Sequence, residues 1–380
     1  MPSFAYRHIK NLYPIFWSKS VEMADAIEKQ LQSSSSKDTV IQVRGWAARV
    51  TLDIIGLAGM GHDFGSIQDP DNKFCQKYEK LRFEPTTLTR WIVLISMLTV
   101  GFKRIFQLPT KWNMESKEAA EYIRVVARQI VQEKKEKLQR GDIQGIDIAS
   151  IALTSGVFSD ENLVDQMITF LVAGHETVAS AMQWAIYALC KHPEMQARLR
   201  EEIRSHLPAT IRSKDGKDPQ PATAAEVNSL PYLNAFCNEV LRFYPPVPST
   251  VREASKDTSI LGSFIPKGTV MLIVSGATNL NQELWGPDAE EFNPDRWIGE
   301  GRANSGGANN NYSFLTFLHG PRGCIGQSFA KSELACLVAV LAGRFQMELQ
   351  DPMKKLEITK AITASPKDGV MAKLTRLEGW

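Results

Sequence analysis

The sequence predicts a mainly α-helical fold with a minor β part. Three observations carry that reading. Apolar residues recur at helical spacing through long segments, above all 9–31, 116–138, 160–190 and 327–345. Strand-like pieces are short and cluster late, at Val247–Val251, Ser259–Leu261 and Thr269–Val274. With 43% hydrophobic and 23% charged residues, the 380-residue chain can bury a real core.

Charge and cysteine usage narrow the function classes. A net charge of +2 gives no special affinity for nucleic acid or acidic surfaces. The five cysteines (75, 190, 237, 324 and 336) are odd in number and scattered, without a disulfide-like framework. That pattern fits a reducing compartment. No internal repeat is visible.

The chain opens directly into the helical pattern Ile9, Leu12, Ile15, Phe16, Val21, Met23, Ile27, Leu31, with no charged-then-apolar leader before it. Ser33 to Lys37 reads as a polar loop. Val43 to Leu57 is a second helix, closed by Gly59-Met60-Gly61-His62. Trp91 to Phe102 is the most apolar run in the chain. Its twelve residues are too few to span a bilayer, so it reads as a core helix, with peripheral membrane contact through 91–102 as the sharper alternative. The basic end of the 116–138 helix reads as a solvated face.

Ser159-Asp160-Glu161 begins the longest helix, which runs to Leu189 and stops before His192-Pro193. Residues 160–190 would give a rod of about 46 Å. Ala173-Gly174-His175-Glu176-Thr177 interrupts its otherwise apolar surface. Gly174 costs about 1 kcal/mol against alanine there, and a back-bonding Thr177 hydroxyl would loosen the turn. The expectation is a local helix defect with a hydroxyl and a carboxylate beside it. A plain irregularity is the alternative.

Pro193 to Leu207 is a charged surface helix, and Pro208 to Ala225 a polar loop. Ser229-Leu230-Pro231 starts a further helix with Ser229 as its expected cap. That helix carries Glu239 and Arg242 at i,i+3 and ends at Tyr244-Pro245-Pro246. A surface ion pair is the usual meaning of such spacing. Ile265-Pro266-Lys267-Gly268 is a turn, and Pro366-Lys367-Asp368-Gly369 a hairpin turn closing the chain.

Cys324 lies in Phe317-Leu318-His319-Gly320-Pro321-Arg322-Gly323-Cys324-Ile325-Gly326, just before the apolar helix from Gln327 to Phe345. Helix-end N–H groups favour a thiolate there, and the three glycines let a flat ligand approach the backbone. Arg322 could pair with an acidic group on that ligand. A haem iron held by Cys324 satisfies all three features. Two alternatives stay open on this stretch alone: a small buried hydrophobe, or a zinc site using His319 and Cys336.

Four motifs in fixed order, spread over essentially the whole chain, resemble the cytochrome P450 family of haem–thiolate monooxygenases. Phe317, Gly320, Arg322, Cys324 and Gly326 match its haem-ligand loop. Ala173-Gly174-His175-Glu176-Thr177 is similar to its oxygen-activation helix, and Glu239 with Arg242 to its Glu-x-x-Arg pair. Phe292-Asn293-Pro294-Asp295-Arg296-Trp297 resembles the segment whose arginine completes that pair. The style of Trp285-Gly286-Pro287-Asp288 and Arg296-Trp297 looks like eukaryotic, particularly fungal, members.

The resemblance implies a single P450 domain over 1–380 that binds haem b (iron protoporphyrin IX). Cys324 would be the axial iron ligand, with Phe317, Gly326 and Gly174 against the cofactor and Arg322 and Arg252 on its propionates. Thr177 and Glu176 would be catalytic, and Glu239, Arg242 and Arg296 structural. Phe170 and Ala173 would line the substrate space together with the segments 248–251, through Thr250 and Val251, and 362–365, through Thr363. The expected reaction inserts one atom of O2 into a small apolar organic substrate, with electrons from a separate NADPH-cytochrome reductase. Family members carry an N-terminal anchor, a sheet and first helices ahead of the segment that Phe4–Ile9 resembles, so the expected fold lacks them. For the full-length family the resemblance implies the cytoplasmic face of the endoplasmic reticulum. A haem–thiolate isomerase or dehydratase acting on hydroperoxides is the other enzyme class, which Glu176-Thr177 argues against. A remnant that binds haem poorly is the non-enzymatic alternative.

Overall fold

A computed structural model of the chain describes residues 4–33, 40–81, 111–141, 146–210, 220–359 and 363–380. The apolar run 91–102 lies outside the described residues, as does Ile362. The fold is mainly helical with three small antiparallel sheets, as the sequence predicts. Contacts divide the chain into two compact units, Met1–Thr51 with Glu176–Trp380, and Leu52–His175.

In chain order, helix α1 spans Tyr6–Ile9 and α2 Tyr13–Ser33, followed by strand β1 (Val40–Gln42) and α3 (Val43–Ile54). The last helix passes into a π-helical turn, Ile55–Met60, which Gly61 closes in the left-handed region at φ 65°. Then come α4 (Lys73–Glu79), α5 (Lys111–Gln139), α6 (Ile148–Thr154), α7 (Asp160–Lys191), α8 (Pro193–His206), α9 (Ala224–Asn228) and α10 (Pro231–Phe243). Strands β2 (Thr250–Glu253), β3 (Thr258–Ile260), β4 (Ser263–Ile265) and β5 (Val270–Ile273) form two ladders, β2 with β5 and β3 with β4. Short helices α11 (Ser275–Asn279) and α12 (Gln282–Trp285) precede α13 (Gln327–Arg344), β6 (Phe345–Leu349) and β7 (Met371–Arg376).

The larger unit is built around α13. From Ser332 to Arg344 every side chain of this helix is buried, as expected of a helix that is apolar all round. Phe16 of α2 meets Phe329 edge-on at 4.9 Å. Arg344, at the helix end, donates to Glu28 of α2 at 2.7 Å and also pairs with Asp25. Arg200 and Arg204 of α8 donate to the carbonyls of Ala342, Phe345 and Gly343, which α13 leaves unpaired at its end. Strand β7 lies between β1 and β6, with Ile41 opposite Ala372 and Met347 opposite Leu374.

In the smaller unit, the buried Asp53 carboxylate accepts from the backbone of Ser66 (2.7 Å) and Ile67 (2.9 Å), fixing the loop after the π-helical turn. Lys134 of α5 donates to Asp147 (2.9 Å) and Ser150 (2.8 Å) at the start of α6. The basic end of α5 is largely a solvated face, as expected, and carries exposed ion pairs. Arg128 pairs with Glu161 at 2.9 Å and Lys135 with Asp160 at 2.8 Å, both at the acidic start of α7.

Three local expectations are corrected. Ser229 does not cap α10. It ends α9, whose start carries the capping box of Thr223 and Glu226, and α10 begins at Pro231 with no side-chain cap. Helix α7 runs unbroken through 173–177, so no turn opens there. Strands β1, β4 and β6 were not anticipated, and Pro366–Gly369 turns the chain into β7, which pairs with β1 and β6.

Candidate functional site

The best-defined polar cluster lies at the end of α10. Tyr244-Pro245-Pro246 forces that helix to stop, and Glu239 and Arg242 in its last turns are both fully buried. The surface-pair reading is therefore overturned. Arg242 makes a two-pronged contact with Glu239, Nε and Nη2 each at 2.8 Å. The same carboxylate accepts from Arg296 Nε (3.1 Å), Trp297 Nε1 (2.9 Å) and the Asn293 backbone (2.8 Å). Arg242 spends its remaining donors on the carbonyls of Asn279, Ala289 and Glu291 at 2.7–2.9 Å. A buried carboxylate survives only when its lone pairs are satisfied in this way.

From this cluster, contacts lead to the cysteine loop. Asn279 donates to Arg242 O (3.0 Å) and Thr316 Oγ1 (2.8 Å), and its own oxygen accepts from Leu315 N (2.9 Å). Trp297 packs on Phe314 at 5.3 Å, and Phe314 on Phe317 edge-on at 6.3 Å. Phe317 O accepts from Cys324 N at 2.8 Å, closing the loop. Lys331 of α13 stands over both rings, 5.4 Å from Phe314 and 5.9 Å from Phe317. Neither Asn279 nor Lys331 was legible as a support, because each joins elements far apart in the chain.

The loop itself is wound tightly. Leu318 (φ 56°) and Gly320 (φ 71°) are both left-handed, an uncommon state for leucine that marks a constrained site. A side chain at Gly323 would stand 3.2 Å from Gly320 O, a tight contact that the loop would have to shift to accept. At Gly326, the residue before α13, a Cβ would meet only Cys324 Sγ among the atoms of the described residues beyond its chain neighbours, at an ordinary 3.9 Å.

Cys324 is exposed at the loop surface, which excludes the buried-hydrophobe reading. Its sulfur is nevertheless crowded enough that desolvation pushes the thiol up, against an opposing Gly326 N–H. The helix end alone therefore does not hold Cys324 as a thiolate, contrary to the sequence expectation. A positive metal would have to draw the proton off.

The donor set decides which metal centre could fit. Among the described residues no three of His, Cys, Asp and Glu converge on a metal-sized space. A bare zinc ion needs four such ligands, whereas iron already held in a macrocycle needs one thiolate. Arg322 is exposed, with no hydrogen-bond or carboxylate partner among the described residues. Arg252, half-buried, bonds only within its own strand, to Thr250 Oγ1 (3.1 Å) and Val251 O (2.8 Å). One accessible sulfur, glycines bare of side chains and two guanidinium groups without acids fit a flat, dianionic, iron-carrying ligand. These residues fit a haem.

On α7, Glu176 and Thr177 are half-buried, as is Phe170, and Ala173 is exposed. Gly174 serves a close approach. A Cβ there would lie 2.9 Å from Ile55 Cδ1, on the π-helical turn. Further along α7, Ser180 Oγ (2.7 Å) and Trp184 Nε1 (2.8 Å) both donate to Ala364 O. That pair of bonds fixes the segment carrying Thr363, whose carbonyl accepts from Thr359 at 3.2 Å. Thr250 is half-buried, and Val251 is 58% exposed.

The mainly helical fold, the buried Glu239–Arg242–Arg296 cluster and the cysteine loop accompany a family match, and the chain belongs to the cytochrome P450 family. The family model for cytochrome P450 matches residues 1–373. Over its whole length the chain is 53% identical to cytochrome P450 monooxygenase sphH of Aspergillus fumigatus, of which it covers 69%. It is 38% identical, again over its whole length, to cytochrome P450 monooxygenase FSL4 of Gibberella zeae, covering 70% of that protein. Over 92% of the chain it is 42% identical to cytochrome P450 monooxygenase FUM15 of Gibberella moniliformis, covering 65% of that protein. The chain is accordingly an oxidoreductase of the monooxygenase class, in a fungal-type branch of a haem-dependent family. No helix among the described residues is long and apolar enough to cross a membrane.

Proposed function

We propose that the protein binds haem b through Cys324 and inserts one oxygen atom from O2 into a small apolar organic substrate. The observation that supports this most is an accessible cysteine whose loop is fastened to a fully buried ion-pair cluster, with no group of three metal-ligating side chains among the described residues. When bound, the haem supplies O2 activation. Everything else falls to the chain. Cys324 provides the single sulfur, and Arg322 and Arg252 provide cations for the propionates. Glu239, Arg242 and Arg296 hold the segment before the loop in one arrangement.

Thr177 and Glu176 supply and hold protons in this reading. Adjacent residues on a helix point about 100° apart, so a proton passing between their side chains travels through water. Thr250, Val251 and Thr363 are the substrate-facing positions of the larger unit, with Phe170 and Ala173 in the same role on α7. Electrons come from an NADPH-cytochrome reductase, and the working location is the cytoplasmic face of the endoplasmic reticulum. Residues 1–380 are read as one domain, because α3 and α7 each run unbroken through the point where the two units divide. A single heat-absorption peak on unfolding is expected, and two separate peaks would oppose that reading.

The test of the reaction is reconstitution with haem and a fungal reductase. NADPH oxidation should track O2 uptake in the presence of an apolar substrate. Thr177→Ala is expected to keep O2 uptake while diverting it to hydrogen peroxide. Unchanged coupling in Thr177→Ala would remove that residue from the proton path.

A further inference from the structure

Two serines in the chain have an arginine three residues before them, Ser255 and Ser305. Arginine-directed serine kinases read that guanidinium with carboxylates of their own, so it must be free to leave its own protein. The two sites differ in this respect. Arg252 is half-buried and spends its guanidinium on Thr250 Oγ1 and Val251 O within β2. Arg302 is exposed, and its guanidinium has no hydrogen-bond or acidic partner among the described residues. It is also the only charged residue from Gly301 to Leu318.

Ser305 sits in a turn whose outer bonds are weak and whose inner side is packed. Ser305 N and Gly306 N donate to Arg302 O at 3.1 and 2.8 Å, which places arginine and serine at the two ends of one turn. The Ser305 hydroxyl donates to Gly301 O at 3.0 Å and accepts from Gly307 N at 3.3 Å, both in exposed surroundings. Such bonds exchange readily with water, so the hydroxyl is released without disturbing the core. Inward, Gly306 (φ 60°) lies against the indoles next to the ion-pair cluster. A Cβ there would stand 2.8 Å from Trp285 Cζ3 and 3.1 Å from Trp297 Cε2, and Trp297 donates to Glu239. Ala308 packs on the same two rings, and Ala303 O accepts from Asn238 of α10 at 3.3 Å.

We propose that Ser305 is a phosphorylation site for an arginine-directed serine kinase, and that its phosphate loosens the turn 301–307 from Trp285 and Trp297. The γ-phosphoryl group of ATP passes to Ser305 Oγ, its bond to the β-phosphate oxygen breaks, and the hydroxyl proton leaves to the kinase's base, with ADP as the other product. The esterified oxygen has no proton left to donate to Gly301 O. About two negative charges now stand beside that carbonyl, and Arg302 is the cation within reach. The turn re-forms around the Arg302–phosphate pair and draws Gly306 off the two indoles. The site does not depend on haem binding.

The test is incubation of the folded full chain with the catalytic subunit of cyclic-AMP-dependent protein kinase and magnesium ATP, followed by peptide mapping and tryptophan emission. Phosphate should appear on Ser305 and not on Ser255. Arg302→Gln should slow its incorporation about tenfold, the value of one charge-assisted hydrogen bond. Because Arg302 is exposed and unpartnered among the described residues, that variant should melt at the same temperature as the parent. The phosphorylated parent should show red-shifted tryptophan emission, and Ser305→Ala treated in the same way should keep its spectrum. Four results would overturn the proposal. These are no phosphate on Ser305 of the folded chain, phosphate on Ser255 in its place, a rate in Arg302→Gln within about twofold of the parent, or unchanged emission after complete modification of Ser305.

Discussion

Replacing Glu239 by glutamine removes one charge and almost no volume from the most buried polar cluster in the protein. The carboxylate accepts five hydrogen bonds, three of them from Arg242 and Arg296. Glutamine has one acceptor oxygen, so Glu239→Gln leaves Arg242 in the interior without a countercharge, while Arg296 keeps only the half-exposed Asp288 at 3.0 Å. Breaking a buried pair in this way costs about 3–5 kcal/mol. Against a total stability of about 5–15 kcal/mol, that is a large fraction. Urea unfolding followed by tryptophan fluorescence reads the change well, because Trp297 donates directly to Glu239 and Trp285 packs beside it at 5.7 Å. Adding Arg242→Met should recover about 2 kcal/mol relative to the sum of the single changes, since it removes one stranded charge. A loss below about 1 kcal/mol for Glu239→Gln would refute the claim that this cluster is desolvated and holds the segment before the cysteine loop.

A buried and a half-buried group on α13, Glu333 and Lys331, give opposite pH dependences. Burial pushes the Glu333 carboxyl well up, and neither oxygen has a hydrogen-bond partner among the described residues. The folded state thus keeps a proton that the unfolded state releases above about pH 4.5, and stability falls as pH rises from there. Glu333→Met should flatten that fall and gain about 1–3 kcal/mol at pH 8 in urea titrations. Burial lowers Lys331 from 10.5 to about 8, so its cost is fully present at neutral pH and disappears as pH climbs between those values. Lys331→Met should gain about 2 kcal/mol at pH 7, less what the two aromatic contacts contribute, and nothing at pH 10.5. Because the Cys324 thiol is raised, taking up iron must release a proton. Apparent haem affinity should therefore rise about tenfold per unit between pH 6 and 8 in spectrophotometric titrations, and a flat profile would mean that no thiol is deprotonated.

The long helices and the cysteine loop were legible because their signals are local. Ser159 before an apolar period places the start of α7, and Pro245-Pro246 the end of α10. Cys324 could be singled out because glycine, arginine and an apolar helix start all lie within a few residues of it. What escaped depends on contacts distant in sequence. Strand β1 has only three residues, and its partner β7 lies at the other end of the chain, so no periodicity announces it. The pair Glu239 and Arg242 reads the same way in sequence whether exposed or buried. Only Trp297, Asn293 and Arg296, brought in from another segment, decide between the two. Gly174 was read as a helix defect, when its missing side chain makes room for Ile55 in an unbroken helix. The thiolate expectation failed for a similar reason: the dipole of α13 is visible in sequence, and the desolvation of the sulfur is not.

The central claim is that Cys324 is the single protein ligand of a haem iron. Its most direct test is the absorption spectrum of the haem-loaded chain, reduced and then exposed to carbon monoxide, beside that of Cys324→Ala. The account predicts the strongly red-shifted Soret band of thiolate-bound iron in the parent, and its loss in Cys324→Ala. A parent spectrum without that shift, or a red-shifted band that survives in Cys324→Ala, would contradict it.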